Sequence, residues 1–385
     1  MLKPQHVSSY SSIINPVVTD FIHKVAWIRQ TKGDGIIVPD VTGELYILRM
    51  EPFAPKQICH ILLFYLYCDY FKGICSVLFE TRMGCLNENI PEETQKFIFS
   101  VGEMFRLSHI VMLFPKYTWS YLPFWKHFVA AWDHLFKVAH KLVEQKITDI
   151  QEKVKLGEPV QGAYLTHLLM SEQMSLHEIL GSITELLLAG VDTTSNTISW
   201  ALYHMAQEPH IQEKLNEEVN SVCPGDKVPD SSDFAKMPWL KAIVKETLRM
   251  YPVVPGNARI TVDNEIVVGD YIFPKNTLFH LCHYAVSYDE QHFPQPQSFL
   301  PERWFRGQEK FKQHPFGSVP FGYGVRACLG KRVAELEMYL MLSRFIKCYE
   351  VRPDPSGTKV EPLTRTLLAP ATPINLHFNK NLTKQ

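Results

Sequence analysis

The chain has 385 residues, a formal net charge of −1, and hydrophobic and aromatic contents of 46% and 12%. That composition excludes a disordered chain, allows a large buried core and argues against wholesale nucleic-acid binding. Its eight cysteines are scattered with no Cys-x-x-Cys pair, which disfavours a zinc ribbon or a disulfide framework and suits a reducing compartment. The first residues, Met1-Leu2-Lys3-Pro4-Gln5-His6, hold no apolar signal core and do not resemble an Arg- and Ser-rich transit peptide, so an import signal is not expected in this chain.

Apolar residues Val17, Val18, Phe21, Ile22, Val25 and Ile28 recur at helical spacing and predict an amphipathic helix from about Val17 to Gln30, followed by a turn at Gly33-Asp34-Gly35. The apolar run Ile58 to Cys68 falls short of the ~20 residues a bilayer crossing needs and reads as a buried helix, continued from Gly73 towards Gly84. Between Pro115 and Phe128, Tyr117, Trp119, Tyr121, Leu122, Phe124 and Trp125 alternate with Lys116 and Lys126. That mixture suits either a membrane interface or an aromatic loop packed on the domain. A charged helix is expected from Trp132 to Lys155, broken at Gly157-Glu158-Pro159.

Ser175 to Gln207 is helical in pattern and free of proline, predicting a rod of roughly 45 Å. Its middle, Ala189-Gly190-Val191-Asp192-Thr193-Thr194, places an acid and hydroxyls inside an apolar helix, an inconsistency that often marks a site. Gly190 and Thr193 are three apart and share a face, where a small ligand could approach the Gly190 backbone while the Thr193 hydroxyl donates to it and Asp192 relays protons. The alternative is a Thr193 hydroxyl bonded back to a carbonyl one turn earlier, with Asp192 paired to a base elsewhere. Helices follow over Pro209 to Val222 and Trp239 to Tyr251, the second carrying Glu246 and Arg249 three apart. Strands are expected at Arg259 to Asp263 and Glu265 to Ile272 around a turn at Asn264, then a proline-rich coil from Phe293 to Trp304. Phe321 to Gly330 is a loop rich in glycine (Gly322, Gly324, Gly330) that ends at Cys328 before a helix reaching about Cys348. Glycine lets backbone approach a flat ligand closely. The positive end of the helix and Arg326 nearby would favour a thiolate at Cys328, so this cysteine is either a metal ligand or a buried structural thiol. Strands near Tyr349 to Val351 and Ile374 to Phe378 close a mainly α chain with small β-sheets.

The Gly-acid-Thr helix, the Glu-x-x-Arg helix and the Phe-x-x-Gly-x-Arg-x-Cys-x-Gly loop, in that order, resemble the cytochrome P450 monooxygenases over nearly the whole chain. The resemblance implies one domain spanning 1–385 with the P450 fold and haem b (iron protoporphyrin IX). Cys328 would be the axial thiolate, a ligand that favours O–O cleavage. Phe321 would shield the sulfur, Arg326 and Arg259 would meet haem propionates, and Glu246, Arg249 and Arg303 would form a structural charge cluster. Asp192 and Thr193 would pass protons towards bound O₂. Gly181 to Ala201, Tyr251 to Asn257 and His314 to Pro320 resemble the mitochondrial branch, and within it the sterol 27-hydroxylase group, with vitamin D hydroxylases as near cousins.

That branch implies a sterol-like substrate, cholesterol or a bile-acid intermediate, hydroxylated on its side chain, with vitamin D or retinoid oxidation as an alternative. It also implies a peripheral place on the mitochondrial inner membrane. Electrons would come from an adrenodoxin-like mitochondrial ferredoxin and its reductase, docking on Lys241, Lys245, Lys331 and Arg332; exposed lysines can equally be a solvated helix face. Leu187, Ala189, Val253, Val254 and Leu367 are the expected substrate contacts. Two departures from the family's pattern stand out. The family's N-terminal helices are not in this chain, which sets an active monooxygenase against a truncated, non-catalytic haem- or ferredoxin-binding protein. Leu48 to Phe71 is longer than the family would have there, through either an insertion or an artefact of the gene model.

Overall fold

The longest helix among the described residues carries its own start signal. Ser175 and Glu178 form a capping box, the Ser175 N–H donating to Glu178 Oε2 at 2.8 Å and the Glu178 N–H to Ser175 Oγ at 3.4 Å. A computed structural model describes residues 7, 8, 10–31, 73–78, 91–160, 162, 164–171, 173–307, 314–364, 366–372 and 374–381. The expectations for the Gly33 turn, the Ile58 to Cys68 helix, the stretch beyond Ser76-Val77-Leu78 towards Gly84 and the long Leu48 to Phe71 segment lie outside these residues.

The described helices are α1 (Ser11–Thr31), α2 (Glu92–Val111), α3 (Trp125–Lys155), α4 (Tyr164–Met170), α5 (Leu176–Gln207), α6 (Pro209–Val222), α7 (Pro238–Met250), α8 (His283–Ser287) and α9 (Lys331–Cys348). No helix among the described residues is long and apolar enough to cross a membrane. The strands are β1 (Asn257–Ile260), β2 (Ile266–Val268), β3 (Tyr271–Phe273), β4 (Leu278–Leu281), β5 (Tyr349–Pro353), β6 (Pro362–Thr364), β7 (Leu368–Pro370) and β8 (Leu376–Lys380), paired antiparallel as β1–β4, β2–β3, β5–β8 and β6–β7.

This pairing corrects the expected hairpin around Asn264. The chain turns instead at Gly269, whose φ of 60° is open to glycine without steric cost, so β2 meets β3. β1 pairs with β4, Asn257 opposite Leu281, a long-range contact that periodicity does not encode.

α5 runs through the core, with Leu187, Val191, Ile198, Trp200 and Met205 fully buried. Trp200 stacks on Tyr251 at the end of α7, ring centroids 3.8 Å apart and planes 5° apart, which locks the two site-bearing helices in register. The start of α7 is held by Glu218 of α6. Its carboxylate accepts the N–H groups of Trp239 at 2.8 Å and Leu240 at 2.9 Å, two donors a helix N-terminus leaves unsatisfied. α9 is anchored at its far end by Lys347, whose ammonium donates to the carbonyls of Cys223, Gly225 and Lys227. Arg344 ties the same helix to α1 through the Asn15 carbonyl and Thr19 Oγ1. The cysteine loop therefore runs into a helix anchored at its far end.

Candidate active site

A carboxylate that is fully buried would be costly unless its whole hydrogen-bonding capacity were met. Glu246 meets it. Its Oε1 accepts from Arg249 Nη2 at 2.9 Å, from Arg303 Nε at 3.1 Å and from the Leu300 N–H at 3.1 Å. Oε2 accepts from Arg249 Nε and Trp304 Nε1, both at 3.0 Å. The side chains of Glu246, Arg249 and Arg303 are all 0% exposed. The remaining guanidinium hydrogens reach backbone carbonyls, from Arg249 to Ser287 at 2.7 Å and Pro296 at 2.9 Å, and from Arg303 to Pro294 and Gln295. The proline-rich coil from Phe293 to Trp304 is thus wrapped around two arginines, and Gln295 takes a positive φ of 53° within that wrap. Burial holds the Arg303 pKa below its usual range, with Glu246 pulling the other way.

The cysteine loop leads directly into α9. Gly322 and Gly324 have φ of 68° and 73°, conformations L side chains rarely adopt. The Cys328 N–H donates to the Phe321 carbonyl at 2.8 Å and the Gly322 N–H to the Val319 carbonyl at 2.8 Å, closing the loop on itself. Gly330 is the N-cap of α9, and the N–H groups of Gly330 and Lys331 point at the sulfur. Even so, the thiol is not pre-ionised as the sequence suggested. Burial raises its pKa above the ordinary thiol value, Glu335 adds to that, and the two N–H groups and Lys331 offset only part. By accessible surface Cys328 is exposed, since it opens onto a cleft, while the protein packed around it supplies the desolvation. Deprotonation here calls for a cation at the sulfur, as a coordinated metal provides.

The cleft above Cys328 has a volume of about 280 Å³ and is open to solvent. Phe321, Gly322, Arg326 and Cys328 line it from the loop, Thr193, Thr194 and Thr197 from α5, and Val253, Val254, Asn257, Arg259 and His283 from the strand side. The structure thus brings Thr193, Val253, Val254, Arg259, Phe321, Gly322, Arg326 and Cys328 to one cleft. Leu187 is instead fully buried in the core, and Leu187, Ala189 and Leu367 are not among the cleft-lining residues. The Phe321 ring lies 5.6 Å from the Lys331 ammonium.

On α5 the Gly190 expectation is corrected, and Thr193 takes the back-bonded alternative. The space at Gly190 is taken by Ile74, whose Cγ1 a Cβ at Gly190 would meet at 2.9 Å, so the missing side chain makes room for a core neighbour and not for a ligand. The Thr193 hydroxyl donates to the Ala189 carbonyl at 2.6 Å, so donation to a ligand requires rotation out of that bond, while its lone pairs are available to accept. Asp192 is buried behind it, with its pKa raised from 3.8 to about 7 by burial.

The sign of the Asp192 effect on stability is fixed. Between pH 4 and pH 7 the folded state keeps a proton that the unfolded chain has lost, so stability falls as pH rises through that window and flattens above it. Asp192→Asn is expected to remove this slope, as measured by urea denaturation at several pH values.

The four expected docking cations converge. Lys241 and Lys245 on α7 and Lys331 and Arg332 on α9 all act on the carboxylate of Glu335, whose pKa is raised by burial and drawn down by those cations. Lys245 also lies 5.6 Å from the Trp304 ring.

The residues present fit a haem. A lone sulfur receives two N–H groups, glycines at positive φ keep side chains off the loop, and two guanidiniums flank the opening. Arg326 makes no ion pair or hydrogen bond among the described residues, which leaves its charge for an anion such as a propionate. Sequence reasoning missed Asn257 and His283. For Asn257 a signal existed, since it is two residues before Arg259 in a strand and shares its face; His283 carried none.

The family model that matches the chain is Cytochrome P450, over residues 59–378. The chain is 47% identical over 384 residues to the mitochondrial sterol 26-hydroxylase of Rattus norvegicus, covering 98% of this chain and 68% of the relative. It is 44% identical to the sterol 26-hydroxylase of Homo sapiens, with the same coverage. It is 40% identical to the mitochondrial 25-hydroxyvitamin D-1 alpha hydroxylase of Homo sapiens, covering 98% and 71%. Among solved structures, the crystal structure of cytochrome P450DA heme domain matches with a TM-score of 0.75 at 17% identity, over 99% of this chain and 74% of that one, a likeness of fold. A buried Glu-Arg-Arg cluster, a cysteine loop on a helix N-terminus and this kinship together place the chain in the cytochrome P450 family of haem-thiolate monooxygenases.

Proposed function

We propose that the chain hydroxylates an unactivated C–H bond on the side chain of a sterol-like lipid, with O₂ as oxidant and electrons delivered one at a time by an acidic mitochondrial ferredoxin that its reductase recharges. The observation that carries this reading is the single cleft with the Cys328 sulfur on one wall and the Thr193 hydroxyl on another, together with relatives named as mitochondrial sterol 26-hydroxylases. Bound haem supplies the oxygen activation and C–H oxidation. Cys328 would hold its iron, and Arg326 and Arg259 would hold its carboxylates. Val253 and Val254 give the cleft apolar surface suited to a hydrocarbon. Ala189 and Leu367 remain proposed substrate contacts from the family's pattern, whereas Leu187 packs in the core. Turnover with ferredoxin, reductase and a panel of sterols, secosteroids and retinoids tests the substrate. A side-chain-hydroxylated sterol is expected, and no turnover of any sterol side chain overturns it. Kinship to a vitamin D hydroxylase makes secosteroids the second class in that panel.

In this reading Asp192 and Thr193 manage the protons. A carboxyl with a pKa near neutrality both gives and takes a proton at working pH. Thr193, in the cleft wall, is the atom through which that proton reaches the ligand. Thr193→Ala is expected to lower product formed per electron consumed several-fold while electron consumption continues; unchanged coupling removes Thr193 from the relay.

The basic face of Lys241, Lys245, Lys331 and Arg332 would steer the acidic donor. Lys241→Gln with Lys245→Gln is expected to raise the KM for ferredoxin by about tenfold at low ionic strength and to flatten its salt dependence, with kcat at saturating donor largely retained. Exposed Met112, Leu113, Tyr117 and Tyr121, beside Lys116 and Lys126, support a peripheral seat on the mitochondrial inner membrane. Vesicle co-sedimentation that does not drop in a Leu113→Asp, Tyr117→Asp variant counts against that seat.

A further inference from the structure

Asn257 Nδ2 and His283 Nε2 lie 2.8 Å apart at the cleft wall. The backbone presets this meeting. Asn257 opens β1 opposite Leu281 in β4, His283 follows two residues later at the start of α8, and the Tyr284 N–H donates to the Pro255 carbonyl at 2.9 Å. The chemistry then fixes which atom does what. Arg259 Nη1 approaches the other end of the same amide, Asn257 Oδ1, at 3.4 Å. A guanidinium can only donate, so that end must be the oxygen, and the amide nitrogen must face the imidazole. An amide N–H can only donate, so Nε2 must accept. The ring is therefore neutral with its proton on Nδ1. Burial and the charge of Arg259 hold the His283 pKa below its ordinary value, in keeping with that state.

Arg259 Nη1 also donates to the Ala258 carbonyl at 2.8 Å. One nitrogen of the guanidinium is thus fastened to the strand, while Nη2 and Nε have no protein acceptor among the described residues. The cleft wall thus carries a cation with donors unspent among the described residues.

We infer that His283 is a cofactor-positioning residue that orients Asn257, and through it Arg259, against a carboxylate of the bound haem. With its proton on Nδ1 the ring opposes turnover of the amide, since a flipped Asn257 would set Oδ1 against the Nε2 lone pair until the ring proton moved to Nε2. If the amide flipped, Arg259 would keep the Ala258 carbonyl but lose Asn257 Oδ1 and face amide N–H groups instead, which loosens the aim of an exposed guanidinium.

The test uses the haem-loaded protein and measures the rate of haem transfer to excess apomyoglobin. His283→Phe, which keeps a ring but has no acceptor, is expected to lose haem about fivefold faster, in line with one lost positioning hydrogen bond. His283→Gln, whose side-chain oxygen can accept, is expected to stay within about twofold of the parent. In an Arg259→Leu background, His283→Phe is expected to add nothing further, because its effect runs through that guanidinium. A His283→Phe rate equal to the parent's overturns the inference. So does a His283→Gln variant as leaky as His283→Phe, which would mark a packing role, or full additivity with Arg259→Leu. Sterol turnover does not enter this readout, so a wrong substrate leaves the result unaffected.

Discussion

Replacing Glu246 by Ala is expected to cost about 3–5 kcal/mol of folding stability, because it leaves the guanidiniums of Arg249 and Arg303 buried without their counter-charge. The loss is larger than one ion pair suggests, since five donors converge on that carboxylate, among them the Leu300 N–H and the Trp304 indole. Losing them frees the coil that runs from Phe293 to Trp304, which the two arginines otherwise hold by its carbonyls. Two measurements follow: a shifted denaturation midpoint, and limited proteolysis that opens within this coil before elsewhere. The exposed pair Arg352 and Glu350 supplies the contrast. Glu350→Ala is expected to change stability by no more than about 1 kcal/mol, because solvent screens that pair. Equal effects from the two substitutions would mean that Glu246 is not the keystone of the coil.

Cys328→Ser has the opposite profile. It is expected to abolish product formation and thiolate-type ligation while leaving the stability of the haem-free protein within about 1 kcal/mol of the parent. The reason is local. The loop is closed by backbone bonds, Cys328 N–H to Phe321 and Gly322 N–H to Val319, and by glycines at positive φ, none of which needs the sulfur. The N–H groups of Gly330 and Lys331 that point at the sulfur can be met by a hydroxyl. Serine oxygen is a harder and far less acidic ligand for iron, so the electronic push of a thiolate is lost. A variant that kept its product rate would place the iron elsewhere.

Much of this arrangement was legible in the residues because local rules suffice for it. The helix from Ser175 to Gln207 announced itself by period and by the absence of proline, and α5 covers Leu176–Gln207. Glu246 and Arg249 share a helix face by spacing alone. Other features depended on contacts far apart in sequence. The partner of β1 is β4 across the intervening hairpin β2–β3, and nothing in strand alternation favours it over the nearer Asn264 turn. Gly190 looked like room for a ligand until Ile74 filled it. The Cys328 thiol looked pre-ionised by a helix dipole, but desolvation by the surrounding loop outweighs two N–H groups. One omission was avoidable. Phe97, Ile98, Val101, Met104 and Leu107 recur at helical spacing after Pro91 and are buried in α2, a helix the pattern would have supported.

His283 belongs to the class that sequence cannot supply. It is a histidine on a short helix with no motif around it, and it gains meaning only because Asn257 and Arg259 approach it from a different strand. The same holds for the basic face, where Lys241 and Lys331 are distant in the chain and meet around Glu335.

The most direct measurement is the absorption spectrum of the reduced, CO-saturated protein, taken for the parent and for Cys328→Ser. A Soret band at the long wavelength characteristic of thiolate-ligated iron is expected in the parent and absent in the variant. A parent that binds no haem, or one whose band lies at the shorter wavelength of nitrogen ligation, would contradict Cys328 as the ligand and with it a haem-thiolate monooxygenase.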